Sequence, residues 1–95
     1  MAEVTAETRQ DIERQLCHAL WQWGRLPEVA ATIDDWDQLD QIVFVEEWPL
    51  EEERLRTLKT WVAEGRLAPE QRRRYEKLMN LVAKHRPIIE RLRAR

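Results

Sequence analysis

No serine occurs among the 95 residues, so catalysis by a serine nucleophile is excluded from the outset. Gly24 and Gly65 are the two glycines, and each stands alone, so no glycine-rich run can bring several backbone N–H groups onto a phosphate. The one cysteine, Cys17, cannot close an internal disulfide, and no Cys or His pair has the spacing of a zinc site. Cys17 and His18 are adjacent, which on a helix turns them about 100° apart and away from a common ion. The longest run of aliphatic and aromatic residues is Ile42-Val43-Phe44-Val45, far too short to span a bilayer. Residues 1–8 offer neither a basic segment nor an apolar stretch, so no secretory signal is expected and the expected location is cytoplasmic.

What remains is an apolar fraction of 43% and a charged fraction of 36%, enough for one core and nothing from which to make a flexible linker. The expectation is a single domain over residues 1–95. The net charge of −2 conceals a division: residues 1–53 carry 14 acidic and 3 basic side chains, residues 54–95 carry 4 acidic and 13 basic ones. Such asymmetry fits an acidic partner or a nucleic acid, but it also fits pairing between the halves of one fold or of a dimer, and the internal explanation is preferred.

The pattern is helical throughout. Pro49 opens, and Gly65 closes, a run of strong helix formers, and Pro69 starts another, which predicts a hairpin of helices at about 49–64 and 69–94 on which the rest packs. Pro87 should kink or break the second arm. A first helix is expected from Thr8 to Trp23, capped by Thr8 with Asp11, its stripe being Ile12, Leu16, Ala19, Leu20 and Trp23. A short second helix follows Pro27. Between Asp34 and Trp48 the apolar run at 42–45 suits a strand as well as a helix; helix is preferred because no other segment supplies a strand partner. Trp36, Leu39 and Val43 would then form its core stripe, and Trp48, preceding a proline, should be extended. The fold class is therefore all-α, a small bundle of four or five helices.

Few residues suggest chemistry. Asp35, Asp37 and Glu46 occupy the first, third and twelfth places of a calcium loop, but Leu39 and Asp40 fill the fifth and sixth, where a ligand and a glycine are needed. No catalytic residue, cofactor or metal is expected. Arg66 and the run Arg72-Arg73-Arg74 are candidate anion or nucleic-acid contacts, since cations at a helix N-terminus oppose the macrodipole and would welcome an anion. A DNA-reading helix-turn-helix fits poorly, with Trp61 and Gln71 standing where a small and an apolar residue belong.

Five tryptophans, Trp21, Trp23, Trp36, Trp48 and Trp61, are more than a small bundle readily hides. Trp21 and Trp48 lie off the stripes. The seam Tyr75, Leu78, Val82, His85, Ile89 and Leu92 is longer than the stripe on its hairpin partner, leaving its far end to be covered. Trp21, Trp48, Tyr75, His85, Ile89 and Leu92 are thus the expected partner interface. The function expected is a non-enzymatic protein-interaction or regulatory module that self-associates as a homodimer, His85 making that contact sensitive to acid. The alternative is a small nucleic-acid-associated regulator using the arginine-rich half.

Overall fold

The computed structural model describes residues 5–95 and is all-α: α1 (Ala6–Gly24), α2 (Leu26–Thr32), a single 3-10 turn (Ile33–Asp35), α3 (Gln38–Ala63) and α4 (Pro69–Arg93). Among the described residues no helix is long and apolar enough to cross a membrane. The molecule is elongated, 48 × 23 × 17 Å, because two helices of 26 and 25 residues set its length.

α1 begins earlier than the Thr8–Asp11 pattern predicts. The Thr5 hydroxyl is the cap, accepting from the Thr8 N–H at 3.1 Å, and Asp11 pairs with Arg14 instead. Ile12, Leu16, Ala19 and Trp23 of the expected stripe are fully buried, and Leu20 is half-buried at its edge. The hairpin turn closes as its glycine predicts. Gly65 takes φ +70°, the Arg66 N–H reaches the Trp61 carbonyl and the Gly65 N–H the Val62 carbonyl, both at 3.0 Å, which is the paired bonding of a Schellman cap. On the far side, the Gln71 side chain accepts from the Ala68 N–H at 3.0 Å and so closes the start of α4.

Neither long helix is broken at its inner proline. α3 runs through Pro49 without the extended Trp48, and α4 runs through Pro87 without a break. Both prolines are exposed, so water can satisfy the carbonyl that each leaves without an N–H, while packing on the opposite face holds the helix together. For α3 that packing is Trp48 itself, edge-on to Trp23 with ring centroids 5.0 Å apart and 5.6 Å from Phe44.

The hairpin is also not the centre of packing. α3 and α4 touch each other less than either touches α1. Cross-contacts fix the directions: Gln15, His18 and Trp23 meet Arg54, Glu51 and Trp48 in turn, so α1 is antiparallel to α3. Glu13 and Trp23 meet Arg74 and His85, so α1 is parallel to α4. α2 continues along α4, where Leu26, Val29 and Ile33 are buried and where Ile89 and Leu92 find cover. One apolar cluster joins all these elements.

The two charged halves meet within the monomer. Arg74 donates to Glu13 at 2.7 Å, Arg86 to both carboxylate oxygens of Glu52 at 2.8 and 3.4 Å, and Arg95 pairs with Asp34.

Candidate interaction surface

α3 presents apolar residues on two faces. Phe44, Trp48, Leu55 and Leu58, spaced four, seven and three, face α1. Turning about 120° around the helix brings Leu39, Val43 and Leu50 into one column, within about 40° of each other at roughly 100° per residue. Leu39 and Leu50 are 64% and 65% exposed, and Val43 and Ile42 beside them are also open to solvent. Single exposed leucines are ordinary, but a column on one helix is a contiguous apolar patch.

This overturns the expected core stripe of Trp36, Leu39 and Val43. Once α3 is continuous through Pro49, its rotation is set by Trp48, Leu55 and Leu58, and Phe44 rather than Val43 comes into register with them. Trp36 does pack, edge-on to Phe44 at 5.7 Å, through the turn before the helix.

Carboxylates surround the column. Glu46 lies within it, and Asp40 and Glu47 flank it; none of the three is ion-paired among the described residues. α4 offers the complement. Opposite its buried seam, Arg73, Lys77, Lys84 and Arg91 form an exposed column, again without ion pairs among the described residues.

Of the six residues expected at a partner interface, Trp21 is exposed at 58%, with the Arg25 guanidinium 4.5 Å from its ring, and Tyr75 is half-buried, its hydroxyl pKa raised by burial. The other four lie inside the monomer. Trp48 is enclosed by Trp23 and Phe44, Ile89 and Leu92 lie beneath α2, and His85 donates from Nδ1 to the Trp23 carbonyl at 2.7 Å. The seam of α4 is covered by α1 and α2, which sequence periodicity could not reveal: a stripe shows which face is apolar, not which neighbour takes it.

The four candidate anion contacts divide likewise. Arg72 and Arg73 are exposed and unpaired among the described residues. Arg74 turns inward to Glu13 and lies 3.1 Å from the Cys17 sulfur; the hydrogen bond with Glu13 raises the arginine pKa, and the same contact, with Gln71 adding a second bond, lowers that of Glu13. Arg66 is half-buried beside Glu64 at 3.4 Å. No group of three or more His, Cys, Asp or Glu side chains placed to hold a metal occurs among the described residues.

Beneath the outer column, at the α1–α3 junction, lies a polar pocket of about 260 Å³ lined by Gln22, Glu47, Trp48, Leu50, Glu51 and Arg54, with His18 and Phe44 at its walls. The Glu51 carboxylate is 5% exposed, bonded to the His18 Nε2 at 2.9 Å and facing the Arg54 Nε at 3.4 Å. Sequence reading missed both this pocket and the outer column. The leucine column carried a visible signal, the spacing of four and seven from Leu39 through Val43 to Leu50; the pocket carried none, because it joins two separate helices, with His18 33 positions from Glu51.

Comparison with known proteins matches the chain to no family model, no curated protein and no solved structure.

Proposed function

We propose that the chain is a non-enzymatic protein-interaction module that self-associates through the outer face of α3. The observation that carries this reading is the exposed column Leu39, Val43 and Leu50 on a helix that already buries a separate face. Covering such side chains contributes about 1.5–3 kcal/mol each, a gain the monomer leaves unused. A surface of that kind belongs to association.

The partner is a second copy. Asp40 and Glu47 stand seven residues apart beside Val43 and Leu50, themselves seven apart; on α4, Lys77, Lys84 and Arg91 keep the same interval beside the half-buried pair Leu81 and Ile88. Each interval spans about 10.5 Å of helix. A two-fold contact sets each subunit's α3 against the other's α4, matching acid to base and apolar to apolar twice over. Pairing α3 with α3 would instead oppose Glu46 to Glu46. Sedimentation equilibrium at micromolar concentration tests this: twice the monomer mass is expected, falling to the monomer in Leu39→Lys/Val43→Lys, and a wild-type monomer overturns it.

The α4 column also favours a second reading, contact with nucleic-acid phosphates. Binding to a duplex whose affinity falls steeply with salt, and is weakened by Lys77→Ala/Lys84→Ala, would select it.

A further inference from the structure

We infer that Trp21 stands at the two-fold axis of the contact between copies and anchors it, an inference that rests on the self-association proposed above. α1 is the helix between the other two: Gln15 and His18 meet Arg54 and Glu51 of α3, while Glu13 and Cys17 meet Arg74 of α4. At roughly 100° per residue, Trp21 lies about 40° from Cys17, about 60° from His18 and about 160° from the buried Trp23, so it points outward between the two neighbours. The same count places the columns of those neighbours. On α3, Leu50 lies about 40° from Arg54 and about 160° from Glu52; on α4, Lys84 lies about 80° from Arg74 and about 160° from Arg86. Glu52 and Arg86 join α3 to α4. Both columns are therefore turned away from that contact and outward beside α1, the apolar and acidic one on the α3 side and the basic one on the α4 side.

That arrangement suits a two-fold contact, because rotation about an axis through α1 carries the α3 side of one copy onto the α4 side of the other. The levels along the helices agree. α1 runs antiparallel to α3 with His18 beside Glu51, and parallel to α4 with Trp23 beside His85. Counted from these pairs, the midpoint of Val43 and Leu50 and the midpoint of Lys77 and Arg91 both fall level with Gln22 and Trp23. An axis there passes within about one helical turn of Trp21 and brings each indole against Gly24 and Arg25 of the second copy. The ring is prepared for that place. It is 58% exposed, and the Arg25 guanidinium of its own chain holds it from 4.5 Å away. An aromatic side chain that is already ordered loses little freedom on binding. From Trp21 to Leu50 the surface is continuous, since the two hollows along the α1–α3 junction share His18 and Arg54. Tryptophans at the centre of an interface are the ones whose truncation costs most.

Sedimentation equilibrium of Trp21→Ala, and isotope-filtered NMR of the wild-type chain mixed from labelled and unlabelled samples, test the placement. The substitution should weaken self-association about a hundredfold, because the contact loses two indoles at once. It should lower the melting temperature of the dilute monomer by about 8 °C or less, since the ring is outside the core. In the mixed sample the Trp21 indole of a labelled chain should show intermolecular contacts to Gly24 and Arg25 of an unlabelled one. A wild-type monomer overturns this placement together with the reading it rests on. A wild-type dimer that Trp21→Ala leaves intact overturns the placement alone, as does a dimer whose intermolecular contacts fall on Leu39, Val43 and Leu50 and not on Trp21.

Discussion

The two long helices, α3 and α4, are nearly equal in length and each carries one exposed proline in its interior, yet they distribute their apolar residues differently. α4 keeps Leu78, Val82, Ile89 and Leu92 on one buried seam and gives its opposite side to cations and Asn80. α3 buries Trp48, Leu55 and Leu58 and still presents Leu39, Val43 and Leu50 to solvent. An amphipathic helix of the first kind is explained by the fold it belongs to. One of the second kind has a face that the monomer does not need, and that surplus is where function is to be sought.

The widest separation between the two faces is expected within α3 itself. Leu58 is completely buried, so Leu58→Asp places an unpaired carboxylate in the core and should abolish cooperative unfolding, since the cost approaches the 5–15 kcal/mol that roughly spans whole-domain stability. Leu39→Asp, on the same helix, should change monomer stability by about 0.5 kcal/mol or less. Thermal unfolding followed by circular dichroism, at a concentration low enough to keep the chain monomeric, compares them. Equal destabilisation by the two substitutions would mean that Leu39 is core and that no spare face exists.

A smaller contrast concerns Trp21 and Trp48, both of which lie off the helical stripes of the sequence. Trp48→Ala should cost about 3–5 kcal/mol, because the cavity it leaves lies between Trp23 and Phe44. Trp21→Ala should cost about 1 kcal/mol or less, the loss of its exposed contact with Arg25. Urea titration of the two variants measures both.

That pairing shows where the sequence was legible. The turn at Gly65, the start of α4 at Pro69 and the seam of α4 were readable because each depends on local chemistry: a left-handed cap, a fixed φ, an unbroken three-four spacing. Trp48 was misplaced because the rule for a residue before proline is also local, and here a tertiary contact with Trp23, 25 positions away, outweighs it. His85, Ile89 and Leu92 were correctly read as apolar-face residues and wrongly assigned a partner, since periodicity does not say that α1 and α2, not another molecule, will cover them. The charge division was legible as a fact; its partial resolution into Arg74–Glu13, Arg86–Glu52 and Arg95–Asp34 needed the fold.

Those ion pairs give the finest test of the difference between α3 and α4, because α4 spends Arg74 on α1 whereas the carboxylates flanking the outer column of α3 have no partner among the described residues. The hydrogen bond from Arg74, helped by that from Gln71, holds the Glu13 carboxyl below its ordinary pKa. A folded-state pKa that is depressed means the charged form is favoured by folding. The stability it contributes is fully present above the unfolded-state value of about 4.3 and is lost as pH falls through the lower folded-state value. Glu13 is nearly half exposed, so the contribution is screened and should be about 1 kcal/mol or less. Glu13→Gln should therefore lower stability slightly at pH 7 and not at pH 2, where wild type and variant converge. Glu47→Gln, on the outer side of α3, should leave stability unchanged at both. The carboxyl resonance of Glu13 gives an independent check: in Arg74→Gln its titration should move up toward the ordinary glutamate range, and if it does not, the inward turn of Arg74 is not what holds that charge.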